Sequence, residues 1–341
     1  MCSFLIYYWF WMLQGRQWYK SVFNIKGGKV LLVWFWWFKN MWDELILLWN
    51  VKLLQKQWKK IFIVSQDNEW LKTFLSTEVD CSCITFVDEL PRWFRSSLRY
   101  LKSGKLSQIK YFWNIDAVIL WWWEILTEES PHSYYYRFWS IWPSLLLRKN
   151  LYIMWWVQIP KKWINKMLFK LILSRTNKIY CRDFEWVSEL KEYWFENAEF
   201  FMDTSYFVRN DWKKYLHKNA KKYFVININK NGKEFMDDLK KEVKIYLDKW
   251  YECYFVPVCD GWTDDDNRFF SEIQKEYPSI KLKKWDDNFE KFLQFLWWAE
   301  IVISARLHLY LISEYIWLNT KVFPYQKKIN KMQNVIQKLG I

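Results

Sequence analysis

Glycine is scarce, at 7 residues in 341. Soluble chains of ordinary composition are ~7% glycine, so roughly two dozen are expected at this length. As written, the sequence offers no glycine-rich loop that would let a backbone close on a phosphate. Long apolar runs are missing too. The apolar opening from Cys2 to Leu13 is shorter than the ~20 residues a membrane-spanning helix needs. No basic region precedes it and no small-residue cleavage site follows, so it does not read as a secretory signal, and a cytoplasmic protein is expected. The 6 cysteines, at 2, 81, 83, 181, 253 and 259, include one close pair, Cys81 and Cys83, and no second pair with histidine to complete a zinc pattern. Reduced structural thiols and no metal are expected. His132 and His217, two of the 3 histidines, lie in polar surroundings and read as surface residues.

Hydrophobic residues make up 52% and charged residues 26%, which excludes both a disordered tail and a membrane bundle. At ~100–200 residues per domain, the length suggests two domains. The net charge of +14 would draw polyanions: phosphorylated donors, lipid-linked pyrophosphates, an anionic membrane face or nucleic acid. A Lys-rich solvated surface gives the same number and is the commoner case.

Tryptophan is as abundant as glycine is rare, with 29 residues. Its positions matter more than its total. Trp34, Trp36, Trp37 and Trp42 lie between a strand pattern at Lys29–Val33 and a helical pattern from Asp43. Trp121, Trp122 and Trp123 follow Ala117–Leu120, and Trp155 and Trp156 follow Leu151–Met154. Trp250 and Trp317 each separate a helix from a strand. Strand-to-helix turns and helix ends need positive φ or close backbone approach, which glycine supplies. A gene from a lineage that reads UGA as glycine, translated with UGA as tryptophan, produces this pattern. The alternative is a chain rich in genuine indoles, used as sugar platforms or at a membrane surface.

Short apolar runs alternate with helical patterns throughout. Strands are expected at 29–33, 60–64, 83–87, 116–120, 150–154, 178–182 and 198–201, with helices at 43–57, 68–76, 133–148, 161–174 and 184–193. The polar stretch 209–220 reads as a linker, after which strand and helix alternate again from 222 to 339. Alternation of this kind builds parallel sheets covered on both faces. The expected fold is α/β, with two Rossmann-like doubly wound domains facing a cleft. The first spans 29–208 and the second 221–341, and residues 1–28 form an N-terminal segment without a recognisable role.

Three stretches carry a resemblance. A-E-I-V-I-S-A-R-L-H at 299–308 followed by W-L-N-T-K-V-F-P-Y-Q-K-K at 317–328, I-Y-C-R-D-F-E at 179–185 followed by F-M-D-T-S-Y-F at 201–207, and W-F-W-W-F-K-N-M-W-D-E at 34–44 occur in the order found in polysaccharide pyruvyl transferases. With Trp read as Gly, 34–44 resembles that family's N-x-G-D-E motif and W-W-W-E at 121–124 its G-G-G block. M-W-W-V-Q-I-P at 154–160 and V-P-V-C at 256–259 depart from the family pattern.

The resemblance implies a GT-B-like bacterial enzyme of cell-surface polysaccharide synthesis. It would transfer the enolpyruvyl group of phosphoenolpyruvate to a glycan or lipid-linked saccharide, at the inner face of the membrane, without a cofactor and without nucleic acid. His308 would be the general acid, a role suited to an imidazole titrating near neutrality. Arg306 and Arg182 would hold the donor's phosphate and carboxylate as bidentate forks, with Lys328 and Tyr325 beside them. Trp36, Asn40, Trp42, Asp43 and Glu44, with Trp121, Trp122, Trp123 and Glu124, would form the acceptor and phosphate loops. Each residue also has a plainer role: Arg306 and Arg182 as structural ion-pair partners, His308 as a first-turn histidine, Asp43 and Glu44 as helix-start acids. The run Asp264–Asp266 reads as a helix start. Two other functions fit the architecture: a GT-B-type nucleotide-sugar glycosyltransferase, and a non-catalytic glycan- or membrane-binding protein.

Overall fold

The computed structural model of the chain describes residues 23–34, 41–65, 67–87, 98, 109–126, 128, 133–157, 159–202, 204, 222–259, 265–285, 288–323 and 327–339. The chain forms two compact units. One comprises Met1–Phe35, Trp58–Gln66 and Cys83–Phe201; the other comprises Trp36–Gln57, Asp67–Ser82 and Met202–Ile341.

The first unit is built on seven strands: β1 Lys29–Trp34, β2 Lys60–Val64, β3 Ile84–Val87, β4 Ala117–Leu126, β5 Asn150–Val157, β6 Thr176–Cys181 and β7 Ala198–Phe200. They pair in the order β3-β2-β1-β4-β5-β6-β7, and every pair is parallel. A parallel sheet covered on both faces requires unbroken apolar runs rather than alternation. β1 supplies one, since Val30, Leu31, Leu32 and Val33 are all buried. Strand order reverses between β1 and β4, where Trp34 lies directly opposite Trp121. The connecting helices include α3 Ile109–Asn114, α4 Ser133–Leu146, α5 Trp163–Leu173 and α6 Phe184–Glu192. Leu31, Val118, Ile153 and Ile179 from the strands and Ile141, Phe169 and Leu190 from the helices share one core.

Two expectations for this unit need correction. β4 and β5 run on through the tryptophans: Trp121 and Trp122 pair with Met154 and Trp155 in the ladder. Trp121–Trp123 are therefore extended strand, and no turn there presents N–H groups at a helix start. The register becomes irregular only between Trp122 and Leu126. Helix α3 was also not anticipated, because six residues give too little periodicity to register.

The second unit contains β8 Tyr223–Asn227, β9 Glu252–Phe255, β10 Lys281–Leu282, β11 Val302–Ser304 and β12 Thr320–Val322. Their order is β10-β9-β8-β11-β12, again all parallel. Here the order reverses between β8 and β11, with Val302 opposite Val225 and Ser304 opposite Asn227. Helices α1 Met41–Gln55 and α2 Asn68–Ser76 belong to this unit. So do α7 Met236–Leu247, α8 Asn267–Glu276, α9 Phe289–Trp297, α10 Leu307–Tyr315 and α11 Lys327–Leu339. Phe224, Ile226, Phe255 and Ile303 from the strands meet Leu239, Val243 and Ile273 from the helices in its core. α1 is buried along most of its length, including Glu44 and Asn50. Its first residue is anchored by a hydrogen bond from Met41 N to Val258 O (3.0 Å).

Helix ends show one recurring feature. Among the described residues, five other than glycine have positive φ: Trp58 (57°), Arg148 (50°), Trp194 (70°), Trp250 (65°) and Trp317 (56°). Trp250 and Trp317 were expected there from the sequence. Trp58 and Trp194 were not.

Candidate functional site

The second unit gathers polar side chains where its strand order reverses. β8 and β11 end side by side at Asn227 and Ser304. Beyond Ser304 the chain turns sharply. Ala305 N donates to Asn227 O (3.0 Å), Arg306 N donates to the Ser304 hydroxyl (2.9 Å), and that hydroxyl donates to Arg306 O (3.0 Å). Arg306 is the extended cap residue of α10, and no side-chain hydrogen bond caps the helix. The helix dipole thus gives this corner partial positive charge.

The Arg306 guanidinium is held by Asp266. Its Nε lies 3.2 Å from both carboxylate oxygens and its Nη2 2.6 Å from Oδ1. Asp266 is fully buried, and its Oδ2 also accepts from Asn227 Nδ2 (3.2 Å), Val258 N (3.0 Å) and Cys259 N (3.3 Å). Burial pushes the Asp266 carboxyl up from the ordinary carboxylate range, while the charge and hydrogen bonds of Arg306 act against it. His308, the second residue of α10, is buried. Space at the corner is tight. Gly232, in the turn after β8, sits so close that a Cβ there would lie 2.7 Å from the Ala305 Cβ.

Arg306 and His308 therefore stand together at one strand-to-helix corner. Asp43 and Glu44 lie in the first turn of α1, whose start is tied to Val258, next to the Asp266 cluster. Arg182 belongs to the first unit. It follows β6, is buried, and precedes Asp183, whose carboxylate caps α6 by accepting from Glu185 N (2.7 Å). Trp121 is buried within β4. Trp42, Trp122, Trp123, Glu124 and Lys328 are described in backbone only, and Trp36, Asn40 and Tyr325 lie outside the described residues.

Sequence reasoning missed Asp266 and Asn227. The triple-aspartate run suggested only a helix start, and Asp266 does precede α8, yet it makes no capping hydrogen bond to that helix. Its partner Arg306 is 40 residues away in the chain. The available signal was an acidic run followed, some forty positions on, by an isolated arginine at a strand end.

No family model matches the chain, and no curated protein matches it. Solved structures do. UDP-GlcNAc 2-epimerase from Neisseria meningitidis bound to UDP-GlcNAc is 12% identical, with a TM-score of 0.55, covering 92% of this chain and 90% of that one. S. aureus MnaA with UDP is 12% identical, with a TM-score of 0.56 and coverage of 92% and 90%. A glycosyltransferase from Rickettsia africae is 12% identical, with a TM-score of 0.52 and coverage of 93% and 90%. At this identity the likeness establishes the fold, two Rossmann-like parallel sheets of the GT-B-like class.

The pyruvyl transferase resemblance is overturned. The matching structures include UDP-GlcNAc 2-epimerases, which belong to a different reaction class, and no family model supports the resemblance. Phosphoenolpyruvate as donor loses its support with it. The physical reason lies in the motif. An R-x-H at a β-strand end occupies the strand-to-helix corner of a Rossmann-like unit whatever the chemistry. Here its arginine faces a buried aspartate.

Proposed function

We propose that the second unit binds the diphosphate of a nucleotide sugar and that the chain is an enzyme of nucleotide-sugar chemistry. One observation carries this reading: the amino end of α10, without a side-chain cap, opens at the reversal point of the β8–β11 sheet with Arg306 and His308 in its first residues. In open parallel sheets, ligands bind outside the carboxyl ends of strands at such a point. A helix amino terminus is suited to phosphate, because its N–H groups and dipole converge on the anion. The Asp266 pair holds the Arg306 side chain in place, so a positive group flanks those N–H groups without having to be ordered on binding. Nucleotide sugars or nucleotides are also the ligands named for two of the matching structures.

Two reactions fit this ligand. In epimerisation, the sugar stays with, or returns to, its nucleotide and changes configuration. In glycosyl transfer, the nucleoside diphosphate leaves and the sugar passes to a glycan acceptor. The test is incubation with UDP-GlcNAc, followed by separation of products. A new epimer of the nucleotide sugar supports the first, and acceptor-dependent release of UDP supports the second. Neither product, together with no saturable binding of UDP-, GDP- or dTDP-sugars, contradicts the proposal.

A further inference from the structure

Among the described residues, four of the five with positive φ other than glycine are tryptophan. With 29 tryptophans in 341 residues, random placement puts fewer than one among five positions. The hydrogen bonds at these sites identify the motif. After α6, Trp194 N donates to Lys191 O (2.9 Å) and Phe195 N to Leu190 O (3.0 Å). After α7, Trp250 N donates to Leu247 O (2.9 Å) and Tyr251 N to Tyr246 O (3.2 Å). After α10, Trp317 N donates to Glu314 O (3.0 Å) and Leu318 N to Ser313 O (2.9 Å). This is the Schellman ending, with the left-handed residue at the position glycine normally takes. Trp58 adopts the same backbone conformation after α1. Left-handed backbone brings a Cβ against the following carbonyl, a penalty glycine escapes and an indole does not.

Three of the four indoles are almost fully exposed and gain little packing in return. Trp58, Trp194 and Trp250 are 94%, 86% and 93% exposed, and Trp317 is 42% exposed. Their place in the sheets argues against ligand platforms. Each of the four lies between a helix and the next strand: Trp58 before β2, Trp194 before β7, Trp250 before β9 and Trp317 before β12. Those are the amino edges of the strands, opposite the carboxyl edges where ligands of such sheets bind.

We infer that residues 58, 194, 250 and 317 are glycine in the protein its organism makes, and that the tryptophans there arise from reading glycine codons UGA as tryptophan. Among the described residues these four tryptophans occupy the left-handed positions that favour glycine, and Trp58 and Trp194 carried no such signal in the sequence pattern.

Two measurements test this. Trp58→Gly, Trp194→Gly, Trp250→Gly and Trp317→Gly are made singly in the full chain, with Trp113→Gly and Ile245→Gly as controls. Both controls are exposed residues on helices, without positive φ. Each of the four should raise the melting temperature on the order of 1–3 °C, while the controls lower it, because glycine inside a helix is unfavourable. Loss of melting temperature at the four positions, equal to the controls, overturns the inference. Peptide sequencing by mass spectrometry of protein purified from its source does not depend on folding in a foreign host. Glycine at 58, 194, 250 and 317 is expected, and tryptophan there overturns the inference.

Discussion

The guanidinium of Arg306 meets a carboxylate that has no exposure to water, so neither charge can be removed alone without stranding the other. Losing one partner of a buried pair costs about 3–5 kcal/mol, whereas replacing both with uncharged residues can cost little. Asp266→Ala should therefore destabilise the protein by that amount, and Asp266→Ala with Arg306→Met by clearly less than the two single changes together. A urea denaturation cycle on the four proteins checks it; simple additivity would mean that the two side chains do not depend on each other. Asp116 is a second residue with a defined duty, accepting from Gly28 N (2.8 Å) and Lys29 N (2.9 Å) where β1 begins. The Lys29 N–H bond, ahead of other contributions, holds its carboxyl below the ordinary range. The folded state favours the ionised group, so Asp116 stabilises the fold above about pH 4, and this support fades as pH falls through the lowered value. Asp116→Asn should flatten the acid side of a melting-temperature profile while leaving the slope near neutrality unchanged. An unaltered acid limb would show that Asp116 does not titrate with folding. At this scale the sequence placed Arg306 and His308 at a strand end followed by a helix, and they lie there. It did not reveal Asp266 or Asn227, because hydrogen bonds between residues 39 or 40 positions apart leave no local pattern.

Among the elements, strands were the most legible, since β1, β2 and β8 are buried apolar runs that no amphipathic helix would show. Their ends were less so. β4 and β5 continue through tryptophans that had looked like turn residues, because in-register pairing with a neighbour, rather than local preference, decides where a strand stops. The corner after β11 is defined by packing that no single element encodes. Gly232, in the turn after β8, leaves room for Ala305 at the start of the bend. Gly232→Ala places a methyl 2.7 Å from another, closer than side-chain carbons approach. Overpacking of this kind costs about 1–3 kcal/mol, and the displaced bend should also weaken the nucleotide binding proposed at α10. Thermal unfolding and a binding titration on the same variant check both parts; unchanged stability and affinity would mean that the corner yields freely.

At the scale of the whole molecule, two parallel sheets were readable from the alternation of strand and helix, and both are present. Function was not readable in the same way. Of the motif blocks that suggested enolpyruvyl transfer, those at Arg182 and Arg306 lie at strand-to-helix corners that this architecture supplies to many chemistries. Glycine, whose spacing ordinarily distinguishes phosphate loops, is nearly absent from the written sequence. Reversal of strand order in the second sheet is a better guide, because it depends on topology and survives the loss of side-chain signals.

The most direct test is a crystal structure of the chain with UDP-GlcNAc. The diphosphate is predicted to lie at the amino end of α10, accepting hydrogen bonds from the N–H groups of its first turn beside Arg306. A nucleotide bound elsewhere, with that helix end left empty, would contradict the account.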